Sequence, residues 1–185
     1  MTQASSITRI FVPAKAVWRL ISDFGSAGRY LAGVVDCTVE GKGVGAVRTL
    51  TNADGGTVVE RLEALDETAL RLSYALLTDT PFHNCVMTIS VRDLGPGESE
   101  LVWTANFRSV GIPTNEASDL LEGALTANCL ALKKFIEVAR KKPVIGVLSV
   151  LSEPLSYRFR TSFHVVHIIP ITNYCIEKTP IEENL

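Results

Sequence analysis

Neither sign of charge is in excess in this sequence. Its 185 residues include 18 Lys and Arg against 20 Asp and Glu, which gives a formal net charge of -2. The basic residues are scattered apart from a short run at 140–142. A nucleic-acid-binding domain usually carries a concentrated basic surface. We therefore expect no nucleic-acid partner.

Long apolar runs and a secretory leader are also lacking. No apolar run reaches the roughly 18 residues that a membrane-spanning helix needs. The N-terminal residues show no basic region followed by an apolar segment, which is the pattern of a signal peptide. We expect no membrane span and a cytoplasmic protein.

Metal-binding and redox patterns are missing as well. The four cysteines, at positions 37, 85, 129 and 175, have no C-x-x-C spacing, on which zinc sites and dithiol pairs often depend. His164 and His167 would point to opposite faces of a strand. The glycines at 41, 43 and 45 lack the G-x-G-x-x-G order of a dinucleotide-binding loop. We predict no metal site and no cofactor.

The longest periodic segment runs from Thr114 to Lys142 and predicts one amphipathic helix, which Pro143 cannot continue. Its apolar residues recur at helical spacing on one side: Ala117, Leu121, Ala124, Leu125, Leu132, Phe135 and Ala139. Asn128 lies at the centre of this apolar face. A buried amide needs a polar partner, so we expect either a bond to a neighbouring backbone group or contact with water or a ligand.

The N-terminal part predicts a strand at Ser6–Val12, a short helix at Ala14–Phe24 and a second helical turn that carries Tyr30 and Leu31. From Val34 the apolar period changes to two for about seventy residues, which is typical of strands. Short connections between the strands imply an antiparallel meander with one buried face, covered by the long helix. The predicted core-facing sets are Val35, Cys37, Val39; Ala46, Arg48, Leu50; Val58, Glu60, Leu62, Ala64; Leu70, Leu72, Tyr74, Leu76; Cys85, Met87, Ile89, Val91; and Leu101, Trp103, Ala105, Phe107.

The C-terminal segment differs in kind from the rest. Two short apolar runs, 144–151 and 165–171, are separated by residues with no sustained period. We predict one domain at 1–142, followed by an extension of unknown structure at 143–185.

Arg48 and Glu60 are the unusual members of the core-facing sets. Their strands are joined by a short turn at 52–56, so the two charges should be neighbours on the buried face. Burying one ion alone is costly, and we therefore expect the two to pair with each other or with a bound polar group. The pair could fix strand register, or it could form a polar spot in an apolar pocket.

Several stretches together are similar to the START-like/Bet v 1-like (SRPBCC) superfamily, in its polyketide cyclase/dehydratase branch. They are the segments 12–18, 23–24, 40–48 and 60–66, in the order strand, two short helices, six-strand meander and long helix; the likeness spans about residues 5–142. The resemblance implies an α+β helix-grip fold, in which a curled antiparallel sheet surrounds the long C-terminal helix. That fold encloses a cavity for an apolar or amphipathic ligand.

The resemblance also implies a function. Similarity to lachrymatory factor synthase over the two central strands would make Arg48 and Glu60 catalytic. The expected ligand-binding residues are Tyr30, Leu62, Leu72, Tyr74, Trp103, Leu125 and Asn128. We expect a small hydrophobic or amphipathic ligand, with cyclase, dehydratase or isomerase chemistry. The alternative is a non-enzymatic carrier or sensor of a lipid, hormone or polyketide-like molecule.

Overall fold

The computed structural model describes residues 1–141, and the side chains of residues 1–140. The extension predicted at 143–185 lies outside the described residues. The elements are β1 (Thr2–Ile10), α1 (Ala14–Ile21), a short 3₁₀ helix (Phe24–Arg29), β2 (Val34–Glu40), β3 (Val47–Asn52), β4 (Thr57–Asp66), β5 (Arg71–Leu76), β6 (Phe82–Gly95), β7 (Glu98–Ser109) and α2 (Thr114–Lys141).

The seven strands form one antiparallel sheet in the order β1-β7-β6-β5-β4-β3-β2. Strands β2 to β7 follow one another as a meander, and β1 joins it beside β7. Helix α2 packs on β1 and β7, whereas α1 packs on β6 and β7. The curled sheet with its long C-terminal helix and short helices is the predicted α+β helix-grip fold. Among the described residues, no helix is both long and apolar enough to cross a membrane.

The alternation of buried and exposed side chains confirms most of the predicted core-facing sets. The sets on β6 and β7 are buried throughout, as are Leu72 and Tyr74 on β5. On α2, Ala117, Leu121, Leu125 and Leu132 are buried as predicted. Strands β5, β6 and β7 therefore give one face to the core, which is what their period of two requires.

The predicted face of β4 is wrong beyond Leu62. A register shift lies between Leu62 and Ala64 in the pairing with β5. One extra residue in a strand moves the following side chains to the opposite face. Ala64 is consequently exposed, and Leu65 is half-buried in the core.

The predicted buried face of β2 is also mostly wrong, because β2 lies at the edge of the described sheet and the short 3₁₀ helix packs against it. Val35 and Val39 are exposed, and Cys37 is half-buried. A Cβ at Gly28 would lie only 3.1 Å from the Cβ of Cys37. The absence of a side chain at Gly28 lets the 3₁₀ helix approach at this one point.

The last turns of α2 differ from the predicted apolar stripe, because Ala139 is exposed. Polar contacts hold this end of the helix instead. The backbone N–H of Phe11 donates to Glu137 Oε1 at 2.9 Å, and Arg140 Nη1 donates to the Phe11 carbonyl at 2.5 Å.

We predict that a chain ending at Lys142 folds alone, because the elements described above form a sheet and covering helices with a shared core. Truncation after Lys142 should preserve a cooperative thermal transition followed by circular dichroism. An unfolded truncated chain would mean that residues beyond 142 contribute to the core.

Candidate ligand-binding site

A cavity of about 620 Å³ lies between α2 and the central strands of the sheet. It forms because α2 packs closely on β1 and β7, at one side of the sheet, and is held away from β3, β4 and β5. Most of the side chains that line it are apolar. From the sheet come Leu50, Val58, Leu76, Phe82 and Met87, and from the helix Leu120, Leu121, Ala124, Leu125 and Ala127.

The cavity has a mouth and an inner end. At the mouth, the lining residues Gly33, Ala53, Asp54, Asp119 and Gly123 are exposed. At the inner end, Glu60, Tyr74, Phe82, Leu121 and Leu125 are buried. A ligand that enters between the turns and the helix would therefore reach a charged group at the bottom.

The charged group belongs to a buried ion pair. Arg48 and Glu60 are direct cross-strand partners on β3 and β4, and Arg48 Nε lies 2.6 Å from Glu60 Oε2. Their side chains are only 3% and 8% exposed. The predicted pairing is confirmed. Glu60 lines the cavity, whereas Arg48 lies outside the lining and is paired to Glu60.

Arg48 is held by more than its partner. Its Nη1 donates to the carbonyl oxygen of Phe24 at 3.1 Å. The guanidinium carbon lies 4.1 Å from the ring centre of Phe24 and 4.9 Å from that of Tyr74, which are favourable cation–π distances. These contacts join the 3₁₀ helix, β3 and β5, and they leave Arg48 little freedom to turn toward a ligand.

Burial and pairing with Arg48 shift the pKa of Glu60 in opposite directions. Burial raises the pKa of Glu60, and the charge and hydrogen bond of Arg48 lower it again only in part, so the pKa stays above its usual value. For Arg48, burial is the largest single effect and lowers the pKa, but the charge of Glu60, the two tyrosines and the hydrogen bond to Glu60 together outweigh it, so the pKa is raised. The arginine therefore stays charged, while the carboxyl group is the member of the pair that can exchange a proton.

Two tyrosines surround the pair as neutral hydrogen-bonding groups. Burial raises the pKa of Tyr30 to about 12, and it raises the pKa of Tyr74 well above its usual value. The Tyr74 hydroxyl accepts a hydrogen bond from Trp103 Nε1 at 3.1 Å. Tyr74 lines the cavity, so Trp103 fixes one of its walls from behind.

Asn128 connects α2 to the mouth of the cavity. Its Oδ1 accepts a hydrogen bond from the backbone N–H of Ala32 at 3.2 Å, which confirms a neighbouring backbone group as its partner. Asn128 is half-buried and also lines the cavity. The same amide therefore has a structural bond on one side and faces the ligand space on the other.

The structure brings together only some of the predicted ligand-binding residues. Glu60, Tyr74, Leu125 and Asn128 line the cavity. The buried residues outside its lining are Tyr30, Leu62, Leu72 and Trp103. The lining also includes Leu50, Leu76 and Met87, whose period places them on the core-facing side but does not distinguish them as ligand-binding residues. The ligand and catalytic roles of all these residues stay predictions.

The cysteines of the described region do not form a reactive site. Cys37, Cys85 and Cys129 are free thiols, and burial raises the pKa of Cys85 to about 12. Thiols of raised pKa are poor nucleophiles at neutral pH. Within residues 1–140, no group of three or more His, Cys, Asp or Glu side chains could hold a metal ion.

Comparison with known proteins identifies the family. Residues 1–137 match the family described as polyketide cyclase / dehydrase and lipid transport, and the chain belongs to it. An uncharacterized protein from Bacillus thuringiensis is 27% identical, with a TM-score of 0.69 over 74% of this chain and 99% of its own. The protein XoxI from Bacillus cereus is 26% identical, with a TM-score of 0.70 over 77% and 100%.

A more distant structure shares the fold. The Zhui aromatase/cyclase from a Streptomyces species is 20% identical, with a TM-score of 0.62 over 79% of this chain and 99% of its own. At this identity the likeness shows a common architecture only.

The raised pKa of Glu60 predicts a pH dependence of stability. A carboxyl group whose folded-state pKa is above its ordinary 4.5 contributes stability that is fully present below about 4.5 and is lost as the pH rises through the folded-state pKa. Glu60→Gln lacks this contribution. The free energy of unfolding of the parent minus that of the variant, measured by urea denaturation, should therefore increase as the pH falls from neutral toward 4.5.

The matched control is Glu40→Gln, at an exposed position on the edge strand β2. Its side chain lies in solvent, so this variant makes the same carboxyl-to-amide change away from the buried pair. If the difference in the free energy of unfolding between the parent and Glu60→Gln instead decreases toward low pH, the attraction of Arg48 lowers the pKa of Glu60 more than burial raises it.

Proposed function

We propose that this protein binds a small, predominantly apolar molecule in the cavity between α2 and the sheet. The observation that carries the proposal is a space of about 620 Å³ with mainly aliphatic and aromatic walls and few polar groups. Ligand sites in proteins typically measure about 300–1,000 Å³ and have this composition. An apolar ligand would displace water from walls that water solvates poorly.

The polar groups of the cavity would orient the ligand. Glu60 and Tyr74 lie at the buried inner end, and Asn128 lies on the helix wall. A ligand oxygen or hydroxyl placed inward could hydrogen-bond there, while its apolar part contacts Leu50, Met87 and the helix. The family description, which includes lipid transport, supports a ligand of this kind.

Acid–base catalysis is the second candidate, and the environment of Glu60 favours it. A buried carboxyl group with a raised pKa that faces a ligand space can take up a proton from a ligand and return it. Such proton transfer is what a cyclase, dehydratase or isomerase needs. Arg48 would act through Glu60 as a positioning residue, because its guanidinium is already bound to Glu60 and to the Phe24 carbonyl.

A carrier would use the same geometry without proton exchange. Glu60 would then stay paired with Arg48 and only accept a hydrogen bond from the ligand. The two candidates agree on the location of the ligand and differ in what Glu60 does.

Gly123 offers a direct test of the cavity. It lies in α2 at the mouth, and a Cβ built there meets no atom within 4 Å among the described residues, apart from its chain neighbours and the nearby backbone of α2 itself. We expect Nile red, a neutral dye, to bind the parent protein saturably, and Gly123→Trp to weaken that binding by roughly tenfold or more because the indole blocks the mouth. Replacing a mid-helix glycine should also stabilise the helix, by up to about 1 kcal/mol for alanine.

Gly123→Ala is the matched control, because it makes the same backbone change with a side chain too small to close the mouth. Its dye affinity should stay close to that of the parent. The proposal fails if the natively folded parent binds neither Nile red nor other neutral apolar probes saturably, or if Gly123→Trp binds them as well as Gly123→Ala does.

Enzyme and carrier are separated by Glu60→Gln and Arg48→Met once a ligand is in hand. For an enzyme, Glu60→Gln should keep ligand affinity within a few-fold and lower turnover by about 10²–10⁴. Arg48→Met leaves the buried carboxylate of Glu60 without its counter-charge, which should lower the free energy of unfolding by about 3–5 kcal/mol near neutral pH. Melting temperature, affinity and turnover are measured together. A large loss of stability in both variants, with no turnover in the parent, would contradict catalysis and leave a carrier.

A further inference from the structure

The charged side chains that line the cavity all carry the same sign. Among the described residues, they are Glu60 at the inner end and Asp54 and Asp119 at the mouth, and the lining contains no Lys, Arg or His. Building on the ligand-binding function proposed above, we infer that the cavity selects neutral amphiphiles, such as long-chain alcohols, against carboxylates of the same chain length.

A carboxylate that enters head first would meet an unfavourable inner end. It would approach Glu60 in a buried site, where like charges repel strongly because little water screens them. The cation beside Glu60 is already engaged: Arg48 Nε bonds Glu60, Nη1 bonds the Phe24 carbonyl, and the guanidinium lies against the rings of Phe24 and Tyr74. The ligand would therefore lose its hydration without gaining a free counter-charge.

A carboxylate that keeps its head in water would lie at the mouth beside Asp54 and Asp119. Asp54 is fixed there, because its Oδ1 accepts a hydrogen bond from the Gly56 N–H at 2.9 Å. Both aspartates are exposed, so salt screens their repulsion over about 8–10 Å and each has a modest effect. Both orientations disfavour an anion, and the inner one disfavours it more.

A hydroxyl group suits the inner end. An ionised carboxylate has about four acceptor positions on its two oxygens, and the hydrogen bond from Arg48 Nε uses one of them, on Oε2. The hydroxyl of an alcohol can donate to another acceptor position of Glu60 without adding charge. The same donor is absent from a deprotonated fatty acid.

The test is competition between Nile red and two probes of equal chain length, 1-decanol and decanoate, at about pH 8, where a carboxylic acid is ionised. Both are used below their aggregation limits. We expect decanol to displace the dye at a concentration roughly tenfold or more below that of decanoate. Equal or tighter binding of decanoate overturns the inference and leaves the proposed ligand binding intact. Failure of Nile red itself to bind overturns both.

Decanol is more apolar than decanoate, so any apolar cavity would favour it to some extent. Variants of the lining carboxylates show whether these groups cause the preference. Asp54→Asn with Asp119→Asn should increase the affinity for decanoate by about two- to fivefold and change the affinity for decanol by less. Asp36→Asn, exposed on β2 and outside the lining, is the control and should change neither. Glu60→Gln leaves the guanidinium of Arg48 without its carboxylate partner, so the affinity for decanoate should increase about tenfold. If Glu60→Gln is too unstable to measure, the two aspartate variants at the mouth test the inference by themselves. The inference is contradicted if no variant of a lining residue changes the affinity for decanoate.

Discussion

The buried pair of Arg48 and Glu60 is the constraint on which the rest of the site depends. Two ions removed from water are tolerated only when each has its partner and further hydrogen bonds. Arg48 meets this demand by bonding Glu60 on β4 and the Phe24 carbonyl, and by lying against Tyr74 on β5. One guanidinium therefore fixes the 3₁₀ helix and three strands together. The same demand places the titratable member of the pair, Glu60, at the end of the cavity.

The cavity follows from where α2 is supported. The helix packs on β1 and β7 through the buried residues of its apolar stripe, and Asn128 ties it to the turn at Ala32. Within residues 1–140, no element of comparable size fills the space in front of β3 to β6, where Leu50, Leu76 and Met87 line open volume. An apolar space with a carboxyl group of raised pKa at its end suits binding of a neutral ligand, and it suits proton transfer if that ligand has an exchangeable proton.

Local periodicity predicted the elements of this fold well, because a period of two or 3.6 directly reports which side chains face a core. It also predicted the Arg48–Glu60 pair, since a charge at a core-facing position needs a partner. Periodicity does not report how far apart two packed layers lie. Leu62, Leu72 and Trp103 face the core as predicted, yet they lie outside the cavity lining. The bulge that exposes Ala64 and the edge position that exposes Val35 depend on pairing partners, which a single sequence does not contain.

The most direct test of this account is the titration of the Glu60 side-chain carboxyl by carbon-13 NMR, with and without saturating Nile red. We predict a midpoint above the ordinary 4.5, because burial outweighs the charge of Arg48, and a further rise when the ligand excludes water from the cavity. A midpoint at or below 4.5 that the ligand leaves unchanged would contradict it. Glu60 would then be a purely structural partner of Arg48.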